Sequence, residues 1–177
     1  ARGADAIAST NAIHLYYDLE ETLRSWVRVV KPEGRVLVQS GNIRTPNPAP
    51  GTWIIDETVE ALHRAALELV SRDGDYAKYR AVLKDAKRMA SYAAYREKVF
   101  LPVRPLHHYL SAFRKARLKI LEVKTRSIEA RVLEWFEFLS VYHDAVLGWM
   151  GGVGRIDGRT PVPGAERDGL ASMRSGM

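Results

Sequence analysis

The first apolar run of the chain, Asp5-Ala-Ile-Ala-Ser9, is short and ends in small polar residues. Such a run suits a buried parallel strand whose C-terminal end opens on a crevice. The period then changes. Leu19, Leu23, Trp26, Val27 and Val30 recur at helical spacing and predict a helix with one apolar face. Asp18 is placed to cap it, and Glu21, three positions on, completes a box-like start. Lys31-Pro-Glu-Gly34 ends the helix, since proline cannot continue it and glycine follows. Directly behind comes "RVLVQSGN", a β-rich run with Val36, Leu37 and Val38 at its centre. Strand, helix and strand joined by so short a crossover predict two parallel neighbours in an α/β sheet. Ligands of such sheets bind at the C-terminal strand ends. "STNAIH" and "QSGNI", beginning at Ser9 and Gln39, are therefore where function is expected.

The segment "IRTPNPAPGTW" carries three prolines and a glycine and reads as a loop. Asp56 then caps a helix running to about Arg72, with Val59, Leu62, His63, Ala66, Leu69 and Val70 on one face. "DGD" breaks the pattern, and a second long helix is predicted from about Tyr76 to Val99. This pair interrupts the α/β rhythm and reads as a helical insertion, or lid. Beyond "LPVRP", the run "LHHYLSAFRKA" predicts a core helix, "LKILEVKTRSIEA" alternates as a strand does, and "VLEWFEFLSVYHDAVLGWM" predicts an aromatic-rich helix. After Met150 the chain is rich in glycine, arginine and proline without periodicity, which predicts a poorly ordered tail. The expected division is a strand–helix–strand core over 1–55, a lid over 56–104, further core over 105–150 and the tail over 151–177.

Composition narrows the chemistry. The 177 residues include no cysteine, which excludes disulfides, thiolate metal sites and cysteine nucleophiles. No window approaches the roughly 18 consecutive apolar residues of a membrane span, and "ARGADAIAS" is too short and mixed for a signal peptide. A cytoplasmic location and no membrane partner are the expectation. The net charge of +6 raises the question of nucleic acid. The positive residues are spread out, however, and those of Lys78 to Lys98 and Arg114 to Arg126 are interrupted by regularly spaced apolar ones. That favours solvated faces over nucleic-acid binding, with attraction to an anionic partner or substrate as the other reading.

The stretch "DAIASTNAIHLYYDLEETLRSWVRVVKPEGRVLV" resembles the second half of class I S-adenosylmethionine-dependent methyltransferases, in which the fourth strand, a helix, a "LKPGG" turn and the fifth strand follow one another. The likeness runs from Asp5 to about Gly152. It implies a partial Rossmann-like fold, strands four to six, with an α-helical lid of the kind that shapes acceptor pockets in small-molecule methyltransferases. By match, Ser9, Thr10 and Asn11 would lie against the methionine end of S-adenosyl-L-methionine, and His14 and Tyr17 would face the space where sulfonium and acceptor meet. The family's glycine-rich cofactor loop and the acidic residue that holds the ribose are not found in the sequence. "GGVG" (Gly151 to Gly154) has no strand before it and is discounted as a nucleotide loop. Glu33 replaces the turn's second glycine, which predicts a type I variant in place of a type II turn. The seventh strand has no β-rich run to supply it. The resemblance thus implies the C-terminal portion of a methyltransferase, expected to bind cofactor weakly and to be inactive alone. The alternative is a non-catalytic truncated subunit or interaction module, pairing with itself or with a complete partner subunit through an exposed sheet edge.

Individual residues carry two readings each. His14 serves either as a general base near neutral pH or as a hydrogen-bonded buttress of its turn. Tyr16 and Tyr17 are adjacent and diverge, so one belongs to the core. His107 and His108 diverge on their helix and lack a third ligand, so no metal is expected. Trp135 and Tyr142 either pack in the core or line an acceptor pocket. Met89, Tyr92, Tyr95 and Arg96 form a lid stripe that reads first as lid-to-core packing and second as acceptor contact; Arg96 and Arg104 would be the natural partners of an anionic acceptor.

Overall fold

The computed structural model describes residues 3–176; Ala1, Arg2 and Met177 lie outside them. In chain order the elements are β1 (Ala4–Thr10), α1 (Leu19–Val29), β2 (Val30–Gln39), α2 (Ile55–Arg72), α3 (Arg80–Leu83), α4 (Ala86–Val99), α5 (Leu106–Lys115), α6 (Val132–Phe138), α7 (His143–Val146), α8 (Gly148–Gly151), α9 (Gly154–Asp157) and α10 (Ala165–Gly176), with short 3-10 turns between some of them. The chain is helix-rich with one small parallel sheet, and it forms two compact units. One comprises, of the described residues, 3–54 and Leu101–Ser127, the other Ile55–Phe100 and 128–176. No helix of the described residues is long and apolar enough to cross a membrane.

The strand unit is built as the sequence pattern requires. The Asp18 carboxylate accepts from the Glu21 N–H at 2.8 Å and starts α1. Glu21 does not return the bond as a full capping box would; its carboxylate accepts from Arg24 and Arg28. β1 and β2 pair in parallel, Ile7 with Val36, Ser9 with Val38 and Thr10 with Gln39. This register puts Ile7, Ser9, Val36 and Val38 on the face where burial is greater. Ala6, Ala8, Arg35, Leu37 and Gln39 lie on an open face. The expected burial of β1 is thus corrected: among its residues only Ser9 is buried. Ile13, Leu19, Leu23, Tyr109 and Ala112 form the core of this unit, with Tyr16, Trp26, Val38 and Phe113 packed against it.

Lys31-Pro-Glu-Gly34 behaves differently from the expected type I variant. Between Ala4 and Ala6 of β1, β2 advances from Val30 to Arg35, so the four residues bulge out of the ladder. Glu33 sits at φ 64°, the left-handed region that a side chain enters at a cost of about 1 kcal/mol. Gly34 is required for another reason: a Cβ there would meet the Lys31 carbonyl at 2.9 Å and the Asp5 carbonyl at 3.1 Å. Glu33→Gly is accordingly expected to stabilise the strand unit by about 0.5–1 kcal/mol, against the usual cost of introducing glycine. Denaturant melts of the two proteins check the sign.

The predicted strand over "LKILEVKTRSIEA" is absent. Among the described residues no strand pairs with it, and Leu121, Val123 and Ile128 are exposed. Alternation alone cannot make a strand when its N–H and C=O groups lack a ladder.

In the helical unit, α2 follows its predicted face, burying Val59, Leu62, His63, Ala66 and Val70. The long helix expected from Tyr76 is divided. A 3-10 turn over Gly74–Tyr79 and the short α3 precede a break at Asp85, whose carboxylate caps α4 through the Arg88 N–H at 3.0 Å. The aromatic helix is divided too, into α6, a 3-10 turn at Leu139–Tyr142, α7 and α8. Ser140, Val141, Tyr142 and His143 are successive middling helix formers, and glycine follows at 148. These pieces belong to the same unit as α2 and α4, which corrects the expectation of a core over 105–150. The segment after Met150, expected to be poorly ordered, forms α9 and α10. Gly151 lets α10 approach closely, since a Cβ there would stand 2.6 Å from the Cβ of Ala165. Asp168 on α10 accepts from the Tyr79 hydroxyl at 2.7 Å and pairs with Lys78.

Candidate functional site

The C-terminal ends of β1 and β2 form a lip in the strand unit, held by a small polar network. The Asn11 N–H donates to the Gln39 carbonyl at 2.7 Å, and the Asn11 side-chain oxygen accepts from the Gly41 N–H at 3.0 Å. Asn11 reaches this position at φ 49°, a conformation that asparagine tolerates better than most residues. His14 Nδ1 lies 2.9 Å from Ser40 Oγ, which also accepts from the Asn42 N–H at 3.1 Å. The loops after the two strands are therefore tied to each other twice, once through Asn11 and once through His14.

Each sequence candidate of the strand unit finds a definite place. Ser9 faces the covered side of the sheet beside Val38, and its hydroxyl is buried with no hydrogen-bond partner among the described residues. It supports the lip from behind and does not open on it. Thr10 is exposed on the other face. His14 is 6% exposed, and burial holds its pKa below the usual histidine value. The buttress reading of His14 describes this geometry. Tyr16 packs edge-on against Trp26 at 6.0 Å, while Tyr17 is 71% exposed, which separates the adjacent pair as expected. Arg104 donates to the Tyr16 carbonyl at 3.4 Å. Among the described residues no cluster of three metal-ligating side chains occurs.

The remaining candidates lie in the helical unit. Trp135 stacks on Phe138 at 5.0 Å, and Tyr142 packs against Phe100 at 5.1 Å. Arg96 alone among them lines a concavity: a groove of about 330 Å³ bounded by His63, Met89, Ala90, Tyr92 and Ala93. Arg96 also borders a smaller groove of about 170 Å³ that carries Asp56, Glu60 and Glu97. Trp135 and Tyr142 line neither.

Two polar features of this unit escape a reading of the sequence. His63 Nδ1 lies 3.1 Å from the Val146 carbonyl, and the ring meets Trp149 edge-on. Its helical position on the apolar face of α2 was visible, but a histidine there reads as core. Burial holds its pKa low, against the hydrogen bond to Val146, and the nearby Arg96 charge adds to the lowering. The second feature is a buried ion pair, Arg88 Nε to Asp157 Oδ2 at 3.0 Å, with side chains 7% and 5% exposed. Asp157 also accepts from the Tyr92 hydroxyl and from the N–H groups of Val153 and Arg159. Burial would raise the Asp157 pKa, but those bonds and the Arg88 charge outweigh it and hold it low. Burial first, and Asp157 next, push the Tyr92 phenol up to about 12.

The three lowered histidines, His14, His63 and His108, make stability depend on pH in the same sense, burial being the first cause in each. Between the native value and the unfolded value near ~6.5, the unfolded chain binds more protons. Stability is therefore expected to be flat above about pH 7 and to fall as pH drops through about 6.5, by at most about 1.4 kcal/mol per pH unit for His14 and His63 each, and by less for the exposed, solvent-screened His108. It flattens again below the native values, until Asp157 protonates and a second acid loss begins. Urea melts across this range, with His14→Gln and His63→Gln as comparisons, measure the slope. A flat profile between pH 7 and 5 would contradict it.

Comparison with protein-family models, curated proteins and solved structures finds no match for the chain.

Proposed function

We propose that the β1–α1–β2 layer is the second-half core of a Rossmann-like, class I S-adenosylmethionine-dependent methyltransferase fold, acting on a small molecule in the cytoplasm. The observation that carries this reading is the lip: two parallel strands joined by one helix end side by side, and Asn11 and His14 join the loops that follow them. Ligands of open parallel sheets bind at such strand ends.

The residues fit the cofactor in part. Thr10 offers an exposed hydroxyl, and Asn11, whose oxygen is engaged by Gly41, keeps its amide nitrogen as a donor. Both suit the carboxylate of a methionine moiety. Ser9 is turned away, and no glycine-rich loop between strand and helix is present for the rest of the cofactor. Weak binding by these residues is the consequence. When bound, S-adenosylmethionine supplies an electrophilic methyl group. The chain's contribution is alignment, which can account for a large part of the rate of an in-line displacement. His14, buried and tied to Ser40, acts in this reading as a positioning residue that sets the shape of the lip.

Amide NMR shifts of the whole chain on adding S-adenosylhomocysteine test the reading. Shifts centred on Thr10, Asn11, Gly41 and Asn42 that saturate in the millimolar range are expected. A lip that stays silent up to the solubility limit would overturn it.

One observation favours a second reading, an interaction module. The open sheet face presents Ala6, Ala8 and Leu37, the last 60% exposed, and among the described residues β1 has no neighbour on its outer edge. Unpaired edges recruit further strands. Concentration-dependent dimerisation abolished by Leu37→Lys would favour this reading, whereas a monomer at all concentrations would remove its support.

A further inference from the structure

The groove of the helical unit is lined by two side chains that each keep a polar atom with incomplete bonding. Its walls come from α2 and α4 alone, through His63, Met89, Ala90, Tyr92, Ala93 and Arg96. Arg96 Nη1 is fully buried, yet among the described residues it makes no hydrogen bond. A buried guanidinium nitrogen without an acceptor is costly, and a carboxylate is the acceptor its planar fork fits best. The second atom is His63 Nε2. Because the Val146 carbonyl can only accept, Nδ1 must carry the ring proton. In the neutral ring Nε2 is then a lone-pair acceptor, and the structure gives it no donor among the described residues. The other lining residues, Met89, Ala90, Tyr92 and Ala93, are mostly apolar.

We propose that this groove binds a small carboxylic acid with an apolar body and a hydroxyl group. The carboxylate pairs with the Arg96 guanidinium, and the hydroxyl donates to His63 Nε2. The two grooves that meet at Arg96 are unequal in this respect. The smaller one bears three carboxylates, Asp56, Glu60 and Glu97, which repel an anion there; of these only Glu60 also acts on His63. A groove of about 330 Å³ accommodates one ring and its substituents and lies at the small end of ligand sites. The site rests on the helical unit alone and does not depend on methyl transfer.

Calorimetric titration of the whole chain with 4-hydroxybenzoate tests it, with benzoate and 4-hydroxybenzyl alcohol as partners lacking one group each. Saturable 1:1 binding of the hydroxy acid is expected, weakened roughly ten-fold or more when either group is removed, the range of a buried charge-assisted bond. Arg96→Met should lose the same factor for both acids and leave the alcohol unaffected. It should fold normally, since no hydrogen bond of the Arg96 side chain is lost with it; circular dichroism and the melting temperature check this. His63→Phe, folded by the same criteria, should abolish the preference for 4-hydroxybenzoate over benzoate. Failure of the hydroxy acid to bind, or equal binding to a folded Arg96→Met variant, would overturn the proposal. Loss of binding here with intact shifts at the β1–β2 lip would separate its failure from that of the methyltransferase reading.

Discussion

Replacing Asp157 by alanine is expected to lower the stability of the helical unit by about 3–5 kcal/mol, because it leaves the Arg88 charge buried without a counter-charge. Three further losses reinforce the effect: the Tyr92 hydroxyl and the N–H groups of Val153 and Arg159 each lose an acceptor. The carboxylate also joins distant parts of the sequence, since Arg88 and Tyr92 stand on α4 and Asp157 ends α9. Its removal should therefore loosen the residues after Met150 as well as weaken α4. The comparison that isolates the charge is Arg88→Met with Asp157→Leu. Replacing both members by apolar residues removes the unpaired charge, so the double variant should be considerably more stable than Asp157→Ala. Urea melts of the parent, Arg88→Met, Asp157→Leu and the double variant complete the cycle, with Asp157→Ala measured beside them. A single variant within about 1 kcal/mol of the parent would show that the pair is not buried as described.

Trp149→Ala is expected to cost about 3–5 kcal/mol. Trp149 is fully buried, at 0% exposure, in the main core with Leu62, Ala66, Leu139 and Met150. Its indole N–H donates to the Val146 carbonyl at 3.0 Å, the same oxygen that accepts from His63. The truncation opens a cavity beside a ring with which the indole makes an edge-on contact. Trp149→Phe keeps most of the volume but not the bond and should cost less. Tryptophan fluorescence offers a second readout, since Trp149 is buried whereas Trp53 is exposed. Loss of the most blue-shifted component should accompany the loss of stability.

The elements that the sequence predicted well are those whose signals are local. The Asp18 cap, the apolar spacing of α1, the stop at Lys31-Pro and the β-rich run behind it all act within a few residues. Each has its counterpart in the structure. α2 follows from the same spacing, extended over five turns. What escaped depends on partners distant in sequence. Leu118 to Ile128 alternate correctly, but a strand exists only where another strand pairs with it. Asp157 sits in a segment rich in glycine and arginine, without apolar period. Nothing in its neighbours shows that Arg88, about seventy positions earlier, requires a buried carboxylate. Glu33 is a different case: the turn was legible, but the ladder on either side outweighs the preference of a side chain for negative φ.

The candidate residues divide along the same line. The strand-end reading covers Ser9, Asn11 and His14 alike, yet the pleat turns Ser9 to the covered face. Of the α4 stripe, read as packing or as acceptor contact, Met89, Tyr92 and Arg96 line a groove. Trp135 and Tyr142 were ambiguous because an aromatic side chain packs a core as readily as it lines a pocket. In the structure each packs against another aromatic ring.

Ultraviolet cross-linking of methyl-labelled S-adenosylmethionine to the whole chain, followed by peptide mapping, tests the proposal that the lip formed by β1 and β2 binds the cofactor. Label is expected in the peptide containing Asn11, His14 and Tyr17, diminished by excess S-adenosylhomocysteine and by Asn11→Leu. Label confined to the helical unit, or label that the competitor does not displace, would contradict it.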